Sequence, residues 1–537
     1  MALIRTKKWI QENYIFFLII ICLFFVYDYN YIISKGPRSI HQWRQADCLS
    51  ITQNYYAEGM HFFSPSIHWT GTEGDGKTVS EFPILYYFVA FLWKIFGKHE
   101  YIFRMINLFI AFMGLFYLFK LAKAILKNTF WATIIVLLLF SSPIFVYYAN
   151  NFIINVPAFS LVIPGWYFFY KFYKESKNKY LYISFLFFFI AGLLKISTTI
   201  SFISILIVFS IEFFRLGKFK KDKKIFDKPY IQIIPFLLVI GFLLLWYSYA
   251  SHYNKLHHSG IFLQGILPIW GVEGAKIKPI FVSLYNELLP QFHNKFILHL
   301  IFLFFIALLI SFKNVNKFLL LITICTFVAV ISYIILFFQV FDVHDYYLID
   351  LLIFPIAVLI TFISFIKDNY LYLLNSKKIK VISLVVIGCS IYYCAINNRI
   401  KYKPNDNFVK TSFIVDKQQQ DFYNWVAFNY KNTFQALETI TPYLRSLGIQ
   451  RTDKVISIPD ESINISLYLM DQKGITDYSN LVSSKEKVQK IINSGIKYLI
   501  INDTNILQTR TYLSTYTKNE VGKYKNIYIY DLNEFNK

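Results

Sequence analysis

The chain of 537 residues is 56% hydrophobic, 20% aromatic and 16% charged, with a mean hydropathy of +0.44. Soluble domains are closer to a quarter charged, so this composition excludes an ordinary soluble enzyme and indicates a polytopic membrane protein. The formal net charge of +22 does not indicate a nucleic-acid partner, because the basic residues cluster between long apolar segments, as in cytoplasmic loops. The five cysteines form neither a CxxC metal site nor a visible disulfide framework.

Apolar segments of about 20 residues predict membrane-spanning helices, and the chain contains about eleven of them. The first follows Arg5, Lys7 and Lys8 without a cleavage site, which is typical of an uncleaved signal anchor. In chain order the predicted spans are Tyr14–Ile33, Ile102–Phe119, Phe130–Tyr148, Val156–Phe172, Tyr180–Leu194, Thr198–Phe214, Tyr230–Ala250, Phe296–Phe312, Phe318–Phe338, Leu348–Ile366 and Val381–Ile396.

A further apolar run, Phe82–Gly97, is shorter and carries Lys94, so it could span the membrane or lie in its interface. Charge decides between the two, because counting this run as a span would move the lysine-rich loops after it to the outside. We therefore predict an interfacial helix, a cytoplasmic N-terminus and an external C-terminal tail. For a bacterial chain this means a multi-pass protein of the inner membrane with its tail in the periplasm.

The segment GTEGDGKT, Gly71–Thr78, matches the pattern of a phosphate-binding loop letter for letter. Such a loop needs a buried strand before it and a helix after it, whereas Pro65 precedes this segment and Pro83 follows it. The predicted topology also places the segment outside the membrane, where ATP is not available. We interpret it as a glycine-rich surface loop and predict no nucleotide partner.

Two domains are predicted. Residues 1–397 form the membrane domain, with a first external loop at 34–101, and residues 398–537 form a small external domain. In the latter, KVISIPD, KYLIIND and NIYIYDL predict short strands, with helices near Thr433–Leu447 and Lys485–Asn493. The predicted fold class is therefore an α-helical polytopic membrane protein with a small C-terminal α/β domain.

Polar residues on the predicted external side are candidates for one composite site at the outer interface. Asp47 is the candidate general base and Glu81 the other acid, because a base must hold its charge near neutral pH, which neighbouring cations support. The candidate phosphate ligands are Arg44, Lys195, His344 and Arg104, and the other candidates are His41, Asp345, Tyr346 and Asn155. No metal ligand set is predicted.

Several of these residues also have a plain structural explanation. Lys195 could extend its amine from a helix hairpin to the membrane surface, and Asp47 could be an ordinary charge on a helix. His344 could be a surface residue and Arg104 an interface anchor. The sequence alone leaves both kinds of explanation open.

The order of the short motifs resembles bacterial GT-C glycosyltransferases of the protein O-mannosyltransferase-like group, to which the aminoarabinose transferases of lipid A are related. The motifs are WRQAD at Trp43–Asp47, EFP at Glu81–Pro83, Arg104, SP at Ser142–Pro143, GLLK at Gly192–Lys195 and HDYY at His344–Tyr347. The resemblance extends from the first external loop to about Ile366 and hardly touches the tail.

The resemblance implies an inverting glycosyltransferase that moves a hexose or pentose from a polyprenyl-phosphate donor to an acceptor lipid, glycan or protein at the external face. It implies Asp47 as the catalytic aspartate and places Lys195 and His344 in the site. We predict no cofactor, and the sequence leaves a metal requirement open. The chain departs from relatives in having Glu81-Phe82-Pro83 where lipid A enzymes carry Lys-Pro-Pro, and Asn151 or Asn155 where an aspartate often follows the SP motif. A flippase of lipid-linked sugars and a polymerase or ligase using diphosphate-linked donors remain alternatives.

Overall fold

The computed structural model describes residues 2–220, 224–262 and 265–536, with only the backbone of residues 2–12. Its contacts divide the chain into two compact units. The membrane unit comprises Met1–Ser34, Arg104–Trp246 and Gly265–Arg399, and the extramembrane unit comprises Lys35–Phe103, Tyr247–Gln264 and Ile400–Lys537. The extramembrane unit thus combines Lys35–Phe103, which we call the first loop, a short middle segment and the C-terminal residues from Ile400 onward, which we call the C-terminal domain.

The membrane unit is helical. Its principal α-helices are Ala2–Val26, Tyr29–Ile32, Glu100–Leu126 (from Arg104 onward), Thr129–Leu139, Pro143–Ala149, Asn155–Glu175, Asn178–Leu194, Ile200–Phe213, Pro229–Gln232, Ile234–Leu256 (as far as Trp246), Gly274–Ser283, Leu289–Phe292, Lys295–Ile310, Lys317–Leu336, Ile353–Asn369, Leu371–Asn375 and Lys377–Ile400. Shorter 3-10 turns include Ile196–Thr199, Phe338–Asp342 and Asp345–Leu352, and a π-helical turn occupies Leu284–Leu288.

Within the described ranges, six helices are long and apolar enough to cross a membrane, and two bent pairs raise the number to as many as eight. The bent pairs are Thr129–Leu139 with Pro143–Ala149, at 76°, and Gly274–Phe292 with Lys295–Ile310, at 92°. Shorter apolar helices cover Asn13–Val26 and Asn178–Leu194. Each predicted span overlaps a helix or a bent pair, although Tyr14–Ile33 also runs across the break between Val26 and Tyr29, and the predicted fold class of a polytopic helical membrane protein is confirmed.

Two predicted spans are interrupted rather than continuous. The first helix ends at Val26, because Asp28 adopts a left-handed conformation with φ of 61° and the Tyr27 hydroxyl bonds the carbonyl of Phe140. The span predicted at Phe130–Tyr148 breaks at Ser141 and Ser142, just before Pro143 starts the next helix. Hydropathy averages over such breaks, so the sequence predicted continuous spans.

In the extramembrane unit, the first loop forms two α-helices. The Asp47 helix, Gln42–Ala57, is followed by the surface helix, Ile84–Phe96. A helix of 13 residues is about 20 Å long, short of the roughly 30 Å hydrocarbon core, so it does not suffice to cross the membrane. Its buried face packs against the Asp47 helix, with Trp93 against Tyr56 and Tyr87 against Tyr55, while Phe88 and Phe91 are exposed on its other side.

The C-terminal domain contains a five-stranded sheet of order β2-β1-β3-β5-β4. The strands are β1 (Val455–Ile458), β2 (Gly474–Thr476), β3 (Tyr498–Ile501), β4 (Glu520–Tyr524) and β5 (Ile527–Asp531). β1, β2 and β3 are parallel, whereas β5 pairs antiparallel with β3 and β4. The α-helices of the domain are Asn407–Lys410, Lys417–Asn429, Thr441–Ser446, Ile465–Leu469, Lys485–Ile492 and Ile506–Thr509.

The apolar pattern of the sequence and the burial of its residues explain most of the secondary structure of this domain. β1 is buried along its whole length, as expected for a central parallel strand, and Val488, Ile491 and Ile492 of one helix pack into the core beside it. The helix predicted at Thr433–Leu447 is instead a series of short π, 3-10 and α turns from Tyr430 to Ser446. Pro442 falls within that stretch, where it begins the last of the turns.

The segment Gly71–Thr78 is a loop in the extramembrane unit. It folds back on the preceding residues, with a bridge between Ser66 and Lys77 and a bond from the Ile67 amide to the Gly76 carbonyl. No helix follows directly, since the next one begins at Ile84. The local geometry is therefore a turn and not a phosphate-binding loop.

Candidate active site

The Asp47 helix is buried almost throughout, although it is rich in polar residues. Every residue from Gln45 to Tyr55 is buried. Asp47, Ser50, Asn54 and Glu58 follow one another at intervals of three or four residues, so they share one face. Each of these four side chains has a hydrogen-bond partner. Asp47, Ser50 and Asn54, the buried part of this face, are stable there only because their polar groups are paired.

The first turns of this helix carry a cluster of charges. Arg44 forms an ion pair with Glu81, and the Tyr86 hydroxyl donates to the same carboxylate. The Arg44 guanidinium also lies 5.0 Å from the ring centre of Phe262. Its Nη1 atom is buried and has no hydrogen-bond acceptor within the described residues. That nitrogen retains a donor capable of binding an anionic oxygen.

Asp47 lies beside this ion pair and is only 4% exposed. Burial raises the pKa of Asp47 to about 6, while Arg44 and a hydrogen bond from Asn464 oppose that rise. At pH 7 the carboxylate is therefore mostly ionised, yet it is a stronger base than an ordinary aspartate. A carboxylate with a pKa near the working pH is suited to general base catalysis.

Asn464 belongs to the C-terminal domain and was not among the predicted site residues. Its Nδ2 donates to Asp47 Oδ1 over 2.8 Å, and its side chain is fully buried. The two residues are separated by 417 positions in the sequence, and no local pattern around Asn464 indicates the contact. The packing of the helix Ile465–Leu469 against the Asp47 helix brings them together.

The remaining polar face of the Asp47 helix is bound by a second group of side chains. Ser50 Oγ lies 2.7 Å from His68 Nδ1, and His68 Nε2 lies 3.2 Å from Asp471 Oδ1. Burial lowers the pKa of His68 to about 3, despite the hydrogen bond with Asp471, so the ring is neutral. Ser50 and His68 are both fully buried, which rules out this serine, histidine and aspartate as an accessible hydrolytic triad.

Arg451 completes the contact at the far end of the helix. It forms ion pairs with Glu58 and Asp471 and a hydrogen bond with Asn54. Lys473 also pairs with Glu58, over 2.8 Å. Burial alone would raise the pKa of Glu58, but Lys473 and Arg451 hold it at about 2. The C-terminal domain therefore binds the Asp47 helix at Asp47, Asn54 and the adjoining Glu58.

In the membrane unit, most of the predicted site residues gather around the segment His344–Tyr347. The Lys195 amine lies 4.5 Å from the ring centre of Tyr347, and the His344 ring lies 6.1 Å from the same ring. Asn155 donates to the Tyr346 carbonyl over 3.1 Å. Asp345 is buried and accepts a hydrogen bond of 2.5 Å from Tyr148, so its carboxylate is already bound within this unit.

The other predicted residues occupy more structural positions. Arg104 is fully buried, donates to the Asn150 carbonyl and lies 4.1 Å from the ring centre of Phe152. His41 precedes the Asp47 helix in a left-handed conformation with φ of 53°. Within the described residues, no group of three or more histidine, cysteine, aspartate or glutamate side chains could hold a metal ion.

Asp350 is a second residue that the prediction missed. It is buried, and its carboxylate accepts a hydrogen bond from Ser197, two residues after Lys195. Its signal was present in the sequence, because a carboxylate inside an apolar run such as LIDLLIF is costly and usually functional. The predicted span Leu348–Ile366 includes this carboxylate.

A known protein family matches part of the chain. Residues 80–247 match the family model described as dolichyl-phosphate-mannose-protein mannosyltransferase. No curated protein sequence gives a significant match to the chain. The family match covers the surface helix and the first half of the membrane unit, and thus Glu81 and Lys195, but not Asp47.

The solved structures of ArnT share the fold. ArnT from Cupriavidus metallidurans in the apo state aligns with a TM-score of 0.54 and 8% identity over 99% of both chains. The same protein bound to undecaprenyl phosphate aligns with a TM-score of 0.57 and 8% identity over 98% of this chain and 99% of that one. An oligosaccharyltransferase from Archaeoglobus fulgidus, tethered with an acceptor peptide, aligns at 0.49 with 11% identity over 92% of this chain and 69% of that one. Together with the family match, the ArnT fold confirms that this polytopic membrane protein resembles the GT-C glycosyltransferases, as its motifs predicted.

Proposed function

We propose that this protein is a membrane glycosyltransferase that transfers a sugar from a polyprenyl-phosphate donor to an acceptor hydroxyl, with Asp47 as the general base. The observation that carries the proposal is the buried Asp47 carboxylate, with a pKa of about 6, next to the Arg44–Glu81 pair. The family match and the ArnT fold support a sugar transferase. The ArnT structure bound to undecaprenyl phosphate supports a lipid-linked donor.

The proposed step is a single displacement at the anomeric carbon. The acceptor oxygen attacks that carbon while Asp47 takes the hydroxyl proton. The bond between the sugar and the carrier phosphate breaks, and its electron pair remains on the phosphate oxygen. The configuration at the anomeric carbon therefore inverts, and the carrier phosphate supplies the leaving group without a nucleotide.

Arg44 is the phosphate ligand that the local geometry favours. Its buried Nη1 is unpaired within the described residues, while Glu81 holds the rest of the guanidinium in place. A fixed cation stabilises the charge that grows on the leaving phosphate, which is a form of transition-state stabilisation. Glu81 then acts through Arg44 and need not take part in proton transfer.

Lys195 and His344 remain predicted phosphate ligands. The Lys195 amine lies over the ring of Tyr347, which attracts a cation, and the His344 ring contacts Tyr346 and Tyr347, so the same aromatic pair holds both candidate ligands. Arg104 is bound by a carbonyl and an aromatic ring, so we propose mainly a structural role for it. Substituting Lys195, His344 and Arg104 one at a time and measuring the KM for the donor tests whether each side chain binds the donor phosphate.

The location of the reaction is also a proposal. Cytoplasmic loops richer in lysine and arginine favour a cytoplasmic N-terminus, which puts the C-terminal domain outside. Lys518→Cys in this domain and Lys218→Cys in a basic loop provide a matched pair for a membrane-impermeant maleimide, since both side chains are exposed. We expect intact cells to label only Lys518→Cys. Labelling of only Lys218→Cys would overturn the proposed orientation.

To test the function, purified protein in lipid nanodiscs is incubated with radiolabelled sugars linked to polyprenyl phosphate or to polyprenyl diphosphate. Envelope lipids serve as the acceptors. We expect release of polyprenyl phosphate only from the monophosphate donor. Consumption of the diphosphate donor alone would indicate a polymerase or ligase. Movement of intact donor across liposomes without its consumption would indicate a flippase. Mass spectrometry of envelope glycolipids and glycoproteins, with and without the active protein, identifies the sugar and the acceptor.

A further inference from the structure

The C-terminal domain supplies a direct hydrogen-bond donor to the proposed general base. Asn464 Nδ2 lies 2.8 Å from Asp47 Oδ1, and both side chains are buried. The charged groups that influence the Asp47 carboxylate are Arg44, Glu81 and Asp460. Asn464 is thus the neutral donor in an otherwise charged environment.

The orientation of the Asn464 amide is fixed by its second hydrogen bond. Its Oδ1 accepts from the Trp69 backbone amide over 3.0 Å, so the NH₂ group must face Asp47. The neighbours of Trp69 bond with Gly474 of β2: the Thr70 amide donates to the Gly474 carbonyl, and the Gly474 amide donates to the His68 carbonyl. These bonds hold Trp69 against the sheet. The amide therefore has one orientation in which both of its partners are satisfied.

The loop that carries Asn464 is also rigidly built. It leaves the carboxyl end of β1, where functional groups of parallel sheets are commonly placed. The buried carboxylate of Asp460 accepts from the backbone amides of Ser462 and Ser466, over 2.9 Å and 2.8 Å. Thr476 of β2 donates to the Ser462 carbonyl. These bonds fix the backbone on both sides of Asn464.

The docking of the domain does not depend on Asn464. Asn54 and Glu58 bind Arg451 and Lys473 of the domain further along the same helix face, and Asp471 of the domain contacts His68, the partner of Ser50. Removing the amide of Asn464 should therefore leave the Asp47 helix in place. A role in docking and a role in positioning the carboxylate can be separated by experiment.

We propose that Asn464 is a positioning residue of the active site, which holds the Asp47 carboxylate in its ionised form and in one orientation. This inference rests on the proposed role of Asp47 as general base. It makes the C-terminal domain part of the catalytic machinery, in addition to any contact with the acceptor. A hydrogen bond to the charged form of a carboxylate favours that form, so its loss raises the pKa.

The expected effect is measurable. Hydrogen bonds to charged groups have a strength that corresponds to a shift of about one to two pH units when the donor is removed. Asn464→Leu, which is similar in shape but cannot donate, should move the Asp47 titration upward from about 6 by that amount. Transfer at pH 7 should then fall by roughly twofold to tenfold from protonation alone, and it should recover at higher pH.

The experiment uses the full chain in nanodiscs and two readouts. Infrared difference spectra against Asp47→Asn isolate the Asp47 carboxyl and give its pKa without substrate, and the pH dependence of kcat/KM gives its role in transfer. Asn502→Leu is the matched control, because it removes a buried amide of the same domain that bonds the carbonyl of Thr433 and not Asp47. Asn464→Asp is a second variant, in which a like charge replaces the donor while an oxygen can still accept from Trp69.

We expect both Asn464 variants to raise the infrared pKa and the acidic limb of kcat/KM together. Asn502→Leu should lower only the thermal stability. An unchanged infrared pKa in both Asn464 variants would overturn the inference, whatever the activity. If the infrared pKa rises but Asp47→Asn still transfers sugar at the wild-type rate, the contact stands, and the catalytic role of both residues is overturned.

Discussion

Arg451 offers a quantitative test of how the C-terminal domain is attached to the Asp47 helix. Its side chain is 18% exposed and pairs with Glu58 and Asp471, whose side chains are 38% and 26% exposed. Removing one partner of a fully buried pair costs about 3 to 5 kcal/mol, whereas exposed pairs contribute less than about 1 kcal/mol. Because these groups are partly exposed and Lys473 still pairs with Glu58, we expect Arg451→Ala to cost about 2 to 3 kcal/mol.

For a unit of roughly 200 residues, this loss corresponds to a decrease of about 4 to 12 °C in Tm. Thermal unfolding of purified protein, followed by tryptophan fluorescence, measures it. The matched control is Lys497→Ala, which breaks an ion pair with Asp453 at a lysine that is half exposed, and should lower Tm by less than about 4 °C. Equal Tm values for Arg451→Ala and Lys497→Ala would refute the view that the Arg451 network holds the domain on the helix.

Three further predictions concern activity and pH. The wild-type kcat/KM should rise with pH through about 6, because Asp47 must lose its proton to act as a base, and a flat profile from pH 5 to 8 would contradict this. Glu81→Gln should weaken the contact that holds Arg44 and lower the single-turnover rate of transfer by about tenfold or more without abolishing it. In this variant the pKa of Asp47, measured by infrared titration, should stay near or below the wild-type value, because a neighbouring negative charge is removed. The stability that Glu58 contributes is complete above pH 4.5 and is lost as pH falls toward its folded pKa of about 2, so Glu58→Gln should flatten the Tm profile in that range.

Hydropathy and charge predicted the parts of the fold that depend on local pattern. The interfacial assignment of Phe82–Gly97 corresponds to the 13-residue helix Ile84–Phe96, whose apolar residues face both the Asp47 helix and the outside. The context argument against a phosphate-binding loop at Gly71–Thr78 agrees with the turn that forms there. Three of the five strands were predicted, but β2 has only three residues and β4 is polar, so neither gives a clear apolar run.

The candidate site was only partly predictable, for a physical reason. Arg44, Asp47 and Glu81 lie in one loop, and their residue types alone indicate a charged cluster. Asn464 could not be found in the same way, because its contact with Asp47 arises from the packing of a domain more than 400 residues away in sequence. Asp350 could have been found, since a buried carboxylate in an apolar run is itself a signal.

The most direct test of the central claim compares single-turnover transfer by wild-type protein and by Asp47→Asn, with a radiolabelled polyprenyl-phosphate sugar and envelope lipids as acceptors. Asparagine keeps the shape of the side chain but cannot take the acceptor proton. We expect the wild type to release polyprenyl phosphate and Asp47→Asn to be slower by about 10² to 10⁴, with unchanged donor binding. Transfer by Asp47→Asn at the wild-type rate would contradict the account.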